Sequence, residues 1–304
     1  MNSNYIFPFY KYKLISDIDL KYEKSNRNNE TILLYSEKGN YVVNEKIEVD
    51  KDSKFIIESP IASYVLMPNS HQIQVKYNSI EDIRSTIFNL PAAVWAACKN
   101  EVLLHSSSIC VNNNVIAFCA PKGTGKTTLV SMLGKCLPVF SDDTIYLSNE
   151  KNKISCYSHL KSLKFTKKTF TFFCDANEAI FNSTPKTVQN KAYVSLERLG
   201  LKCFKETRTI TPTLKSIFLL HRENSNGFVI KSINSPIEKT SILLENCVGP
   251  EYFPSEMVKN ILKSKTFALL LNDIAFFNLY IPSSFSFLAN NYEKIANAVM
   301  EAHQ

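Results

Sequence analysis

The sequence predicts a mixed α/β protein, and three stretches carry that prediction. Residues 115–128 read as an apolar strand, a glycine turn and the first turn of a helix. Residues 31–76 hold short β-branched runs separated by polar turns, and from Ile80 onward helical spacing alternates with further strands. At 304 residues the chain has room for two domains, taking roughly 150 residues for each. The expected division is an amino-terminal antiparallel β module over residues 1–78 and an α/β core with carboxy-terminal helices over residues 79–304.

Composition narrows the class. Apolar residues make up 45% of the chain and charged residues 21%, the balance of a globular protein with a sizeable core. The formal net charge of +7 suits phosphate-bearing or acidic partners. Nucleic-acid binding needs that charge gathered on one face, whereas it is scattered here apart from Lys161, Lys164, Lys167 and Lys168, so no nucleic-acid partner is expected. The eight cysteines never form a Cys-x-x-Cys pair, and most sit within apolar runs. They read as small buried hydrophobes in a reducing compartment, without disulfides or zinc. No apolar run approaches the ~20 residues of a membrane span, and the amino terminus lacks a charged stretch leading into an apolar one. A cytoplasmic location without membrane association is expected, and self-association into a homo-oligomer is compatible with the sequence.

Taken in order, runs at 31–35, 41–43, 54–57, 64–67 and 72–76 predict an antiparallel meander. Ile83, Ile87, Leu90, Val94 and Ala97 then share one helical face, with Pro91 splitting or kinking the helix and Trp95 assigned to the core. Residues 102–111 form a strand, 112–114 a hairpin turn, and 137–147 an apolar strand interrupted by Asp142 and Asp143. Further strands are predicted at 153–157, 161–166, 191–196, 214–221 and 226–233, the last two joined as a hairpin through residues 222–226. Pro236 opens a helix to Glu245, and a second is expected over 255–274 with Ser255 as its cap. A strand follows at 276–281, and a final helix starts near Ser286.

The chemistry is concentrated at the glycine turn. Ala120, Pro121, Lys122, Gly123, Thr124, Gly125, Lys126, Thr127 and Thr128 stand between strand and helix, the setting a phosphate-binding loop requires. Glycines let backbone N–H groups curl round phosphate oxygens, and the new helix presents unpaired donors and the positive end of its dipole. Lys126 is expected to reach the β- and γ-phosphates and Thr127 to ligate Mg²⁺, which makes ATP and Mg²⁺ the expected cofactors. Ala120 occupies the position of the usual first glycine, which requires its φ to stay below zero.

Asp142 and Asp143 follow Lys126 by about one helix and a return turn, which places them beside the phosphates. Neighbouring strand residues point to opposite faces, so both carboxylates reach the site only at a strand end or a bulge. With Asp143 joining Thr127 on the metal, Asp142 is placed to accept a proton from an attacking hydroxyl. That division favours a kinase over a hydrolase. His105, on the preceding strand, reads from the residues alone as an ordinary core or surface histidine.

From Leu104-His105 through the hairpin, the Gly-x-Gly-Lys-Thr loop and Ser141-Asp142-Asp143, the chain resembles the HPr kinase/phosphorylase group. It is more similar to the smaller serine kinases of that kind found in peptide-tailoring clusters. The resemblance implies a P-loop kinase core of the HPr kinase/PEP carboxykinase-like type. It makes Asp142 the base, Asp143 a metal ligand, Lys126 the phosphate lysine and His105 an orienting neighbour, with Lys161, Lys164 and Lys191 as contacts to phosphate or substrate. It also implies a Ser or Thr hydroxyl of a peptide or small protein, such as a ribosomally made precursor peptide, as the acceptor. Lys122 replaces the serine that commonly precedes Gly123, and the Glu-Ile-Arg-Gly-Leu-Gly signature of the bifunctional enzymes is matched only weakly by residues 196–200. The weak signature match argues against HPr as the substrate and against phosphorolysis as a second activity. A kinase of a small-molecule hydroxyl and a module that holds ATP without turnover are the alternatives.

Overall fold

A computed structural model of the chain describes residues 5–18, 31–38, 46–49, 54–59, 61–160, 162–174, 178–184, 190–204 and 210–302. The chain divides into two compact units, Met1–Leu103 with Cys247–Phe267, and Leu104–Asn246 with Ala268–Gln304. The first unit extends beyond the boundary expected after residue 78 and recruits a later segment. The helix Leu90–Cys98 explains this, because the Ser255–Lys263 helix packs on it and draws that segment in.

The first unit is built on one sheet, ordered Tyr5–Phe9, Tyr12–Ser16, Thr31–Lys38, Gln72–Tyr77, Ala62–Met67, Phe55–Glu58 and Lys46–Val49. It is not the expected antiparallel meander. Thr31–Lys38 pairs in parallel with both Tyr12–Ser16 and Gln72–Tyr77, while the other ladders are antiparallel. The expected run at 41–43 lies outside the described residues. Pro91 splits the predicted helix as anticipated, giving Ile80–Thr86, opened by a Ser79–Asp82 capping box, and Leu90–Cys98 with Pro91 in its first turn. Trp95 is fully buried, with its ring edge-on to Tyr12 at 6.1 Å.

The second unit is a mixed sheet. Its strands run Val139–Ser141, Ser107–Val111, Asn114–Cys119, Thr213–Glu223, Lys153–Tyr157, Thr144–Glu150 and the strand that carries His105. Thr213–Glu223 is the spine, parallel both to Asn114–Cys119 and to Ala275–Pro282. The hairpin expected between 214–221 and 226–233 does not form. Ala275–Pro282 inserts between the two and pairs antiparallel with Val229–Ile233. Burial accounts for the order: Phe276, Phe277, Leu279 and Ile281 are buried and belong in the sheet interior, whereas Val229–Ile233 is largely exposed and suits an edge.

Two expectations at the carboxy-terminal end also change. Pro254, not Ser255, holds the cap position of Ser255–Lys263, and the predicted long helix breaks at Ser264. There the Ser264 hydroxyl accepts a hydrogen bond from Phe267 N–H at 3.1 Å and caps Lys265–Asp273, an alternative to continuing the previous helix. The Lys126–Leu133 helix packs between the sheet and the closing helix Phe285–Glu301, over a core that includes Ile109, Phe118, Leu129, Phe165, Phe218 and Ile295.

The hairpin leading into the glycine loop is fixed locally. Asn112 and Asn113 adopt φ values of 50° and 62°, the doubly left-handed turn that matches the twist of the two flanking strands. Asn tolerates that region and β-branched residues do not. Asn113→Val is therefore expected to cost about 1–3 kcal/mol of stability, read as a lower urea midpoint at unchanged slope.

Candidate functional site

The Asn114–Cys119 strand ends at Ala120, and Gly123 and Gly125 then take φ values of 88° and 103° that other residues rarely adopt. Gly125 stands at the cap of Lys126–Leu133 without a side-chain acceptor there, so the first amides of the helix face the loop. Ala120 is not among the residues of positive φ, and it satisfies the condition its substitution for glycine imposes. Its carbonyl has a further use: Lys126, only 8% exposed, turns its ammonium back onto Ala120 O at 2.5 Å.

Asp142 and Asp143 lie in a break between Val139–Ser141 and Thr144–Glu150. Asp143 sits at φ 89°, in the strained left-handed region for a non-glycine residue, and this local reversal lets two successive carboxylates serve one site. The run after His105 holds the break in place, one residue against each position. Ser108 and Ser141 share a 2.7 Å hydroxyl hydrogen bond, Ser107 Oγ donates to Asp142 Oδ1 at 2.8 Å, and Ser106 N–H donates to Asp143 O at 3.1 Å.

Asp142 is the hub. Its Oδ1 also accepts from Thr127 Oγ1 at 2.8 Å, and its Oδ2 accepts from Lys164 N–H at 3.1 Å. Asp143 instead meets basic side chains: Lys164 Nζ donates to Oδ2 at 2.6 Å, and His105 Nδ1 lies 3.4 Å from Oδ1. The expected pairing of Thr127 with Asp143 on a metal is thus not the contact observed, because the reversal at Asp143 turns that carboxylate toward Lys164 and leaves Asp142 against the helix. Lys164 and His105 join the site. Lys191 lines an adjoining cavity with Lys122, and Lys161 lies outside the described residues.

Electrostatics separates the two acids. Burial, and then the Asp143 charge, push Asp142 above the ordinary carboxylate range, and its three hydrogen bonds oppose this without reversing it. Burial acts upward on Asp143 as well. There Lys164, with its hydrogen bond, and the His105 and His159 rings prevail and leave Asp143 below the usual value. Burial and the Lys126 charge hold His105 below an ordinary histidine, and burial holds Lys126 below an ordinary lysine against the pull of Cys119 and both aspartates. Lys164 is raised, since its bond to Asp143 outweighs burial.

Arg222 belongs to the site and was not anticipated. It stands near the end of the spine strand, where Nε donates to Thr124 O at 2.8 Å and Nη1 to Pro282 O at 2.9 Å. A Cβ on Gly125 would lie 2.5 Å from its Nη2, so a side chain there would displace the guanidinium. Ser107 and His159 were likewise not expected. The Ser106–Ser108 run beside His105 was the available signal for Ser107, and nothing local marks Arg222.

The site can bind anions at the loop, offer hydroxyl and carboxylate oxygens to a hard cation, and present a buried carboxylate as a base. Among the described residues no group of three or more His, Cys, Asp or Glu gathers to hold a metal on its own, and no helix is long and apolar enough to cross a membrane.

No family model matches the chain, and no curated protein does. Among solved structures it is similar to the Hpr(Ser) kinase/phosphatase from Coxiella burnetii at 9% identity, with a TM-score of 0.34, over 66% of this chain and 99% of that one. A score that low does not establish a shared fold, and the likeness to the HPr kinase/phosphorylase group rests on the motifs between His105 and Leu147.

Two measurements follow from this geometry. By carboxyl NMR, Asp142 is expected to titrate above an exposed aspartate and Asp143 below one; Asp143→Asn removes the like charge and moves the Asp142 midpoint down. An unmoved midpoint would leave burial as the sole cause. Arg222→Ala removes the brace on Thr124. At about 1 kcal/mol for one lost hydrogen bond, hydrogen exchange across residues 120–126 is expected to quicken roughly fivefold, with Arg222→Lys falling between.

Proposed function

We propose that the protein is an ATP- and Mg²⁺-dependent kinase that transfers the γ-phosphoryl group to a Ser or Thr hydroxyl of a peptide or small protein. The observation that carries this reading is the meeting of the Thr127 and Ser107 hydroxyls at one oxygen of buried Asp142, at the start of the helix behind a phosphate loop. In this reading the loop amides and Lys126 bind the triphosphate, and Lys126 offsets charge on the transferring group. Asp142, held above the usual carboxylate range, accepts the acceptor's proton. The Lys164 amide holds Asp142 in place, Asp143 anchors the Lys164 ammonium, and His105 supports Asp143 as a positioning residue.

The metal's fit can be judged from the donors. Thr127 Oγ1 is a hard oxygen at the helix start, 2.8 Å from Asp142 Oδ1, and a site supplying one or two protein oxygens beside phosphates suits Mg²⁺. Asp142 is the acid in hydrogen-bond contact with Thr127, while the sequence assignment puts Asp143 on the metal. Bound there, the ion would supply charge neutralisation at the phosphate oxygens. The peptide nature of the acceptor is drawn from the motif resemblance.

The test is incubation with ATP, Mg²⁺ and Ser- or Thr-bearing peptides, read as a phosphate mass increment. Asp142→Asn is expected to retain ATP binding and lose about 10²- to 10⁴-fold in turnover; unchanged turnover would remove Asp142 as the base. Because the base must be ionised, activity should fall as pH drops through the raised Asp142 value.

A further inference from the structure

The short ribbon beside the acid pair has two unlike faces. Ser162–Phe165 and Ala192–Ser195 pair antiparallel, with Lys164 opposite Tyr193 and Ser162 opposite Ser195. Leu163, Phe165, Ala192 and Val194 belong to the core, each at most 1% exposed. Alternation sends Ser162, Lys164, Tyr193 and Ser195 to the other face. The ion pair between Lys164 and Asp143 marks that face as the one turned to the site.

Two observations bring Tyr193 close to the acids. Opposite residues of an antiparallel ladder either exchange both backbone hydrogen bonds or exchange none, and the second kind of pair, with Cα atoms about 4.5 Å apart, holds its side chains closer. The Lys164 N–H is given to Asp142 Oδ2, so Lys164 and Tyr193 form the second kind. Independently, burial lowers Lys164 and Asp143 raises it above its ordinary value, and the Tyr193 phenol adds to the rise. Among the described residues, the half-buried Tyr193 ring packs on no other ring and its hydroxyl has no hydrogen-bond partner. An aromatic body with a polar tip therefore stands uncommitted beside the acid pair, the combination that gives a binding surface contact area at small conformational cost.

In the kinase reading the triphosphate lies at the loop and Thr127, which meets Asp142 at Oδ1, while the ribbon holds Oδ2. The acceptor hydroxyl comes to the same carboxylate, and an extended chain rising about 3.3 Å per residue reaches Tyr193 from there within about three residues. With the Lys164 ammonium bound to Asp143, these four residues offer a ring and two serine hydroxyls and no free charge, which favours an apolar neighbour over an acidic one. We propose that Tyr193 is a specificity-determining residue whose ring packs against an apolar side chain flanking the acceptor hydroxyl, so that the substrate class is a hydroxyl-bearing peptide with apolar flanks. This assignment rests on the kinase reading for its acceptor and on the ribbon for its contact.

The experiment uses the full chain and three labelled octapeptides, each with one Ser flanked by Leu, Gln or Glu. Fluorescence anisotropy follows their binding without nucleotide, and phosphate transfer is measured in parallel. The Leu peptide is expected to bind most tightly, with an advantage that persists as salt rises. Tyr193→Thr keeps a good strand former and removes the ring. It should weaken the Leu peptide about five- to tenfold, to the level of the Gln peptide, and raise its KM while kcat, ATP affinity and melting temperature hold. Tyr193→Phe keeps the ring and should keep the affinity. A Gln or Glu peptide that binds as tightly as the Leu peptide would overturn the proposal. So would a loss in Tyr193→Phe equal to that in Tyr193→Thr, or a Tyr193→Thr variant that melts earlier and binds all three peptides equally less well. Leu-selective binding that depends on Tyr193, without phosphate transfer to any peptide, would defeat the kinase reading and leave the contact standing. Transfer without preference for apolar flanks would do the reverse.

Discussion

The hydrogen bond from Thr127 Oγ1 to Asp142 Oδ1 ties the start of a helix to a gap in a strand, and much of the second unit is arranged to permit it. A continuous strand would send Asp142 and Asp143 to opposite faces. The strand instead stops at Ser141 and resumes at Thr144, with Asp143 in a conformation that costs about 1–3 kcal/mol in a non-glycine residue. Three neighbouring serines, the Lys164 amide and the Lys164 ammonium offset that cost. Hydrogen bonds to a charged group contribute about 1.5–3 kcal/mol each, and Asp142 collects three.

The same break sorts the charges. Lys164 serves both acids through different atoms, its amide for Asp142 and its ammonium for Asp143. The cation therefore holds one acid down directly while the other, deeper and beside a like charge, is pushed up. Adjacent carboxylates moved in opposite directions by their surroundings are how a single site obtains a permanent anion and a proton acceptor together. Lys126 adds the remaining charge, folded onto Ala120 O. Position 120 thus needs a carbonyl and a negative φ, and alanine supplies both as well as glycine does.

Much of this was legible in the sequence, and the division between what was and was not has a physical basis. The glycine loop, the Asn112–Asn113 turn and the interruption at Asp142 are written in consecutive residues, where glycine, asparagine and an acid in an apolar run each have a local meaning. The Pro91 break is equally local. Arg222 is invisible at that range, since it meets Thr124 across 98 positions of chain through the parallel pairing of two strands. The insertion of Ala275–Pro282 between two strands that read as a hairpin, and the parallel ladders about Thr31–Lys38, are likewise choices among long-range partners. Local pattern identifies such strands without ordering them.

The geometry also bears on whether this is an enzyme or a protein that merely holds a nucleotide. Holding one requires the loop amides, the helix start and Lys126, all of which lie between Ala120 and Thr128. It does not require a strained Asp143, nor a carboxylate buried to 8% exposure beside a second one. A burial of that kind is costly unless each lone pair is matched, and a binding module could have avoided it with an apolar or neutral residue at position 142. The serine run, the strand break and Lys164 maintain the acid pair against that cost. Backbone strain and a buried anion kept together beside the glycine loop fit the kinase proposed above better than a protein that only retains a nucleotide.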